Sequence, residues 1–246
     1  MKNLSYYDTL KTIYNDFKLI KNNNPETKLI GRSISLYEHK PSTTIDVVFR
    51  DWLNCDTYWQ EYGIDFSLLK RYDIYPLQEY WINGWKKYTH EDDNPAYSFE
   101  FGEGKRKILS PYSDYKWLSN TSSNIFSGYK QLDENGDILI ITSSLKDVMV
   151  LRKLGYNAIA PQAETNKISK EIIDELRERF DYIYLNYDND FSKKINSGQI
   201  FAQKIIEQYP DIINIYIPDE FECKDISDVA KTSGITFAKQ LIDSLI

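Results

Sequence analysis

Sulfur and imidazole are scarce in this chain, which has two cysteines and two histidines in 246 residues. Cys55 and Cys223 lie far apart with no CxxC pair, so a zinc ribbon cannot be assembled from them with only His39 and His90 to help. A disulfide framework is equally excluded, which fits a reducing, cytoplasmic setting. Long apolar runs are missing too. None reaches the roughly 20 residues that span a bilayer, and the polar start MKNLSYYDTLKTIYNDF has no signal-peptide core, so no membrane partner is expected. No GxxxxGKS/T stretch is present, which excludes a P-loop motor. Net positive charge is also lacking. At −7 the chain has no general basic coat for nucleic acid, although a local basic groove is compatible with that balance.

What is abundant is aromatic and apolar. Twenty Tyr, 11 Phe and five Trp accompany a hydrophobic content of 41%, enough for a sizeable core in one large or two smaller domains. From about Asp137 onward, short apolar runs alternate with amphipathic segments. The pattern predicts strands at 137–142 (DILIIT), 157–160, 182–187 and 212–217. Between them it predicts helices over 144–154, 169–180 and 198–209, with two short helices near 226–231 and 236–244. Such alternation implies right-handed crossovers and a largely parallel sheet flanked by helices, an α/β domain over 136–246. The polar turn at 133–136 (DENG) marks its start.

The segment 1–135 reads as a smaller, mixed α+β unit. It shows a helix over 4–20, a loop at 22–25, strand character at 30–37 and 44–50, and short helices at 57–62 and 66–72. Short β segments follow at 74–82, 97–101, 107–109 and 116–118. The aromatics Tyr58, Trp59, Tyr62, Tyr80, Trp81 and Trp85 read as packing.

Ligands in parallel sheets bind beyond the carboxyl ends of the strands, and acidic residues gather there. Asp188 and Asp190 (YDND) and Asp225 (KDISD) fall just past predicted strands, and Asp147 (SSLKDVMVL) falls in the first helical turn after one. Two carboxylates two apart on an extended backbone point to one side and can share a divalent cation. Four carboxylates from three loops could support two ions roughly 4 Å apart, as in phosphoryl transfer. Each acid also has a plain structural reading: Asp147 at N3 behind a Ser144 cap, and Asp225 with Asp228 at an ordinary helix start.

The segments ITSSLKDVMVLRKLGYNAIAPQAE, YDND and KDISD resemble the TOPRIM domain of phage-type DNA primases related to the bacterial replicative primase. Upstream, and less specifically, FRDWLNCDTYWQEYGIDFSLLKRYDIYPLQEYWING resembles the segment that precedes the catalytic core in these primases, and GKRKILSPYSDYKWLSNTSSNIFSGYKQL resembles their small basic subdomain. The resemblance implies Asp147, Asp188, Asp190 and Asp225 as ligands of Mg²⁺ or Mn²⁺, with the first three catalytic. It also implies Lys105, Arg106, Lys107, Lys116 and Lys130 as contacts for ribonucleoside triphosphates and a single-stranded DNA template. Interleaved with Tyr112, Tyr115, Trp117 and Tyr129, these cations suit bases that stack and phosphates that pair. A replicative helicase would then be a separate chain, and the protein would work in the cytoplasm, the host's if phage-encoded.

One departure stands out. Ser143 occupies the place where TOPRIM domains carry a Glu assigned to proton transfer, and Glu164 in PQAE is a distant substitute. The glycine that follows the family's DxD appears here only at Gly198, after an insert carrying Lys193 and Lys194. Three functions stay open on these residues: primer synthesis, a catalytically silent nucleic-acid-binding replication protein, and a TOPRIM nuclease.

Overall fold

The computed structural model describes residues 43–53 and 56–246. The segments expected at 4–20, 22–25 and 30–37, and also His39 and Cys55, lie outside the described residues.

Among the described residues the strands form two sheets. The first takes β1 (Ile45–Phe49), β2 (Ile74–Ile82), β3 (Trp85–Thr89), β4 (Tyr97–Gly102), β5 (Lys105–Leu109) and β6 (Trp117–Ser119). Its order is β1-β2-β4-β5-β6, with β3 hairpinned onto β2, and all its pairings are antiparallel. A 3₁₀ turn (Tyr58–Tyr62) and the helix α1 (Phe66–Arg71) separate β1 from β2.

The second sheet contains β7 (Phe126–Ser127), β8 (Gly136–Thr142), β9 (Asn157–Pro161), β10 (Phe180–Asn186) and β11 (Ile213–Asn214). Its order is β11-β10-β8-β9-β7. The pairs β8–β9, β8–β10 and β10–β11 are parallel, and only β7–β9 runs antiparallel. The crossovers are α2 (Leu145–Lys153), α3 (Lys170–Arg179) and α4 (Ser197–Gln208), and α5 (Ile226–Leu245) closes the chain. The two short helices expected at its end are this one element broken at Gly234, whose φ of 84° lies in the left-handed region that glycine tolerates.

Both faces of the parallel sheet are covered, which is why its strands read as continuous apolar runs. Side chains alternate along β8. Ile140 joins a core with α2, α5, Tyr58, Trp59 and Tyr62, whereas Leu139 and Ile141 join a second core with α3 and α4. The first core continues into Tyr97, Phe99 and Leu109 of the antiparallel sheet, so the two sheets share it. In α2 the residues Val148, Met149, Val150 and Leu151 are all fully buried, each worth about 1.5–3 kcal/mol of apolar transfer.

A charged pair lies under the antiparallel sheet. Arg50 Nη1 and Nη2 each donate to the Asp56 carboxylate at 2.7 Å, and Leu53 N and Tyr97 Oη reach the same group at 2.8 and 3.3 Å. Burial alone would raise the Asp56 pKa; the Arg50 guanidinium and the Leu53 amide outweigh it and hold the carboxyl below its usual range.

Two expectations need amending, and two strands lie where the sequence pattern marks none. The strand expected over 212–217 pairs only at Ile213 and Asn214, after which the chain turns toward Pro218. The hairpin strand β3 and the two-residue β7 carry no alternation and escape a pattern search. Trp85 is 74% exposed beside the Gly84 turn rather than packed, while Tyr58, Trp59 and Tyr62 are buried ring to ring at 5.1–5.3 Å.

A candidate metal centre at the edge of the parallel sheet

Strand β8 ends at Thr142, and Ser144 caps α2 by accepting from Asp147 N at 3.2 Å. That cap turns the Asp147 side chain inward, where it is fully buried. Its Oδ2 accepts from Ser144 Oγ at 2.5 Å and Ser143 Oγ at 3.3 Å; its Oδ1 accepts from Ser227 N at 3.3 Å and from the Ser227 hydroxyl. The capping role foreseen for Ser144 and the acidic role of Asp147 therefore coexist in one turn.

Asp188 follows β10. Its Oδ1 accepts from Ser143 Oγ at 2.5 Å, and its Oδ2 takes the Lys224 ammonium. Asp225 caps α5, accepting from Asp228 N at 2.7 Å, and its other oxygen lies 3.0 Å from Lys224 Nζ. Each of Asp147, Asp188 and Asp225 offers a carboxylate oxygen within 4.8 Å of the others. Hard oxygen donors at this spacing suit Mg²⁺ or Mn²⁺ and would suit a thiolate-seeking metal poorly.

Asp190 lies outside that trio. The chain is not extended through 188–190: Phe191 N donates back to Asn189 O at 2.8 Å, and Asp190 pairs with Lys193 Nζ at 2.7 Å. The loop is held by Asn189, whose amide nitrogen donates to Lys224 O at 2.7 Å and whose Nδ2 donates to Ile217 O at 2.8 Å. Asn196, the cap of α4, donates to Asn189 Oδ1 at 2.6 Å and accepts from Asp190 N at 3.0 Å. Gly198 lets α4 lie against this loop, because a Cβ there would stand 2.2 Å from the Asp188 carbonyl oxygen.

The electrostatics follow from this crowding. Burial, and then the charges of Asp225 and Asp188, push the Asp147 pKa up to about 7. Asp228 is raised as well, by burial and then by Asp225. Burial opposes the charged form of Lys224, but Asp225 and Asp188 outweigh it and raise its pKa. For Lys146 burial is again outweighed, by Asp225 and Asp147; its Nζ sits 4.0 Å over the Tyr62 ring. Glu164, in the loop after β9, is pushed up to about 7 by burial, then by Asp188, with the Asp188 amide partly offsetting and Asp190 adding to the rise.

The five basic residues of the smaller subdomain separate. Lys116 feels burial first, then the charges of Lys146 and Lys224, with Asp225 and Asp228 opposing, so it faces the acidic cluster. Lys107 donates to Gln162 O at 3.0 Å and lies 4.8 Å over the Trp117 ring, and burial lowers its pKa to about 8. Arg106 pairs with Glu100 at 3.2 Å, Lys130 donates to Phe101 O at 3.0 Å, and Lys105 opens β5. Tyr112 and Tyr115 are exposed beside them. Nothing in the sequence pattern marks Ser227, Lys146 or Asn189 as site residues, and Lys224 is marked only weakly. The position of Lys224 beside Asp225 was the only available signal.

Comparison with solved structures places the fold. The chain is similar to the DnaG primase catalytic domain bound to single-stranded DNA, with a TM-score of 0.56 and 12% identity over 78% of this chain and 74% of that one. It is similar to the E. coli primase catalytic core at 0.53 and 14%, covering 76% and 70% of the two chains. The primase fragment of the bacteriophage T7 primase-helicase protein gives 0.51 and 12%, over 74% and 72%. No protein-family model matches the sequence, and no curated protein does. The mixed α/β architecture with two sheets is thus that of primase catalytic cores.

Proposed function

We propose that this chain is a phage-type DNA primase core, synthesising short RNA primers on single-stranded DNA. One observation carries the reading: three carboxylates, from the first turn of α2, the loop after β10 and the cap of α5, converge within 4.8 Å at the carboxyl edge of a parallel sheet, in a fold shared with primase catalytic domains. In this reading residues 136–246 form the TOPRIM metal-binding domain and 1–135 the subdomain that holds template and nucleotide.

Asp147, Asp188 and Asp225 would hold Mg²⁺ or Mn²⁺, with Asp190 able to join if Lys193 releases it. A bound divalent cation supplies positive charge for the phosphoryl and pyrophosphate oxygens of a nucleotidyl transfer. The reaction joins a primer 3′-oxygen to the α-phosphorus of a ribonucleoside triphosphate as the bond to pyrophosphate breaks. Ser143 and Ser144 orient the acids by donating to them. Lys116, Lys146 and Lys224 supply fixed positive charge where a triphosphate would lie. Exposed Tyr112 and Tyr115 beside Lys116 offer stacking faces for an unpaired template. A helicase would be supplied by another chain.

Purified protein, mixed single-stranded templates, labelled ribonucleotides and Mg²⁺ or Mn²⁺ provide the test, beside an Asp188→Ala, Asp190→Ala double variant. Short RNA products that vanish in the variant support the reading. Template binding without synthesis would instead favour a silent binding protein, a reading that draws on Ser143 and on Lys224 lying among the acids. Cleavage of DNA without added nucleotides would favour the nuclease.

A further inference from the structure

We propose that the insert 191–197 and the outward face of α4 form a track for the phosphates of the primer strand as it leaves the cation site. The inference rests on the primase reading above and adds the path of one strand to it.

The insert starts directly at Asp190 and is pinned to the site by main-chain bonds. Phe191 N donates to Asn189 O at 2.8 Å, Lys193 N donates to Asp190 O at 2.9 Å, and Asn189 N is itself tied to Lys224 O. On this fixed backbone Lys193 and Lys194 are exposed, and so are the apolar side chains of Phe191 and Ile195. The pattern continues onto α4. Ile200 is exposed, and one turn later on the same face Lys204 holds its Nζ 4.6 Å over the Phe201 ring. Asp190 balances Lys193, but among the described residues Lys194 and Lys204 have no ion-pair partner. Lys193 and Lys194 do nothing for α4, whose N-terminal end favours anions. In a chain of net charge −7, unpaired lysines interleaved with bare apolar side chains match a strand whose phosphates pair and whose sugars and bases pack.

Position selects the strand. α4 covers the face of the parallel sheet that carries the second core, whereas α2, α5 and the antiparallel sheet share the other face. Lys116, Tyr112 and Tyr115, the proposed template contacts, belong to that other face, and the acids lie at the sheet edge between the two. A primer paired to that template, with its 3′ end at the cation site, therefore leaves on the α4 side.

The test measures, by fluorescence anisotropy on the full chain, binding of a short RNA primer annealed to DNA and of the same DNA unprimed. Salt is varied in Mg²⁺ without nucleotides, and primer synthesis by the wild type is assayed beside it. The variants are Lys194→Ala with Lys204→Ala, Phe191→Ala, and the control Lys86→Ala with Lys87→Ala on β3. The first should melt as the wild type does and bind the primed template about tenfold or more weakly, with a log-affinity slope against log salt flatter by about 1.5, for two lost phosphate contacts. Its affinity for unprimed DNA, and both affinities of the β3 control, should equal those of the wild type. Phe191→Ala should weaken the primed complex with the slope unchanged, the mark of lost stacking rather than lost charge. Wild-type affinity and slope in the Lys194, Lys204 variant, or an equal loss on unprimed DNA, would overturn the track and leave primer synthesis standing. A loss confined to the primed template, in a protein whose wild type makes no primers, would overturn the proposed function and keep this surface as one that binds the RNA–DNA hybrid.

Discussion

Changing Asp147 to Asn tests the crowding of the acidic cluster directly. The Asp147 carboxylate is wholly buried, and burial followed by the charges of Asp225 and Asp188 carries its pKa from 3.8 to about 7. Between those values the folded chain binds more protons than the unfolded one. Metal-free stability contributed by this group is therefore greatest below about pH 4, falls as pH rises to about 7, and then levels. At ~1.4 kcal/mol per tenfold change in proton affinity, the loss is about 4 kcal/mol at most, because Asp188 and Asp225 share the titration. In a chain of this size that is a Tm difference of up to roughly 8–16 °C. The amide introduced by Asp147→Asn would stay neutral at every pH and keep an acceptor for the Ser227 hydroxyl. Thermal melts followed by circular dichroism in EDTA, from pH 5 to pH 8, should show wild type losing several degrees more than Asp147→Asn. Saturating Mg²⁺ should recover the wild type at pH 8 and leave the variant unmoved. Parallel Tm curves for the two proteins across that range would refute the mutual repulsion on which the cation site depends.

Three other perturbations probe the same framework. Lys224→Met removes the ammonium that sits on Asp188 and 3.0 Å from Asp225, so titration calorimetry should find Mn²⁺ affinity raised by on the order of tenfold and the metal-free protein less stable. Unchanged affinity would show that this half-exposed lysine is no competitor. Gly198→Ala puts a Cβ 2.2 Å from the Asp188 carbonyl oxygen, and urea unfolding should record a loss of about 1–3 kcal/mol together with weaker Mn²⁺ binding. Asp56→Asn leaves the buried Arg50 guanidinium without its counter-charge, at a cost of about 3–5 kcal/mol in urea at neutral pH. Because the Asp56 pKa is held below its ordinary value, the pair's contribution is present above about pH 4 and lost on acidification, so the gap between wild type and variant should narrow at low pH.

Much of the parallel sheet was legible because its residues obey one rule at a time. Runs such as DILIIT are apolar on both faces, Ser144 announces the next helix, and β8, α2, β9, α3 and α4 lie within about two residues of where the pattern puts them. Elements held by pairing alone were not legible: β7 has two residues, and the outward face of β3 is polar apart from exposed Trp85. In the site, three acids could be foreseen because each ends a strand or starts a helix. The separation of Asp190 from them could not, since it arises from Asn189 bending the chain through bonds to Ile217 and Lys224. Lys224 is hidden for a related reason: its contacts with Asp188 and Asp225 depend on loops that meet only after the sheet has formed.

The strand β7 has a consequence for anyone dissecting the molecule. Phe126 and Ser127 pair with Pro161 and Ala160, so the outer rim of β9 is covered by chain that precedes the acid-bearing half. A fragment starting at residue 136 would bare the main-chain groups of NAIAP and uncover the apolar surface that Phe126 shields with Leu139 and Ile159. Bare apolar rims recruit strands from other molecules. Such a fragment should self-associate, whereas one that begins upstream of Phe126 carries its own guard against misassembly.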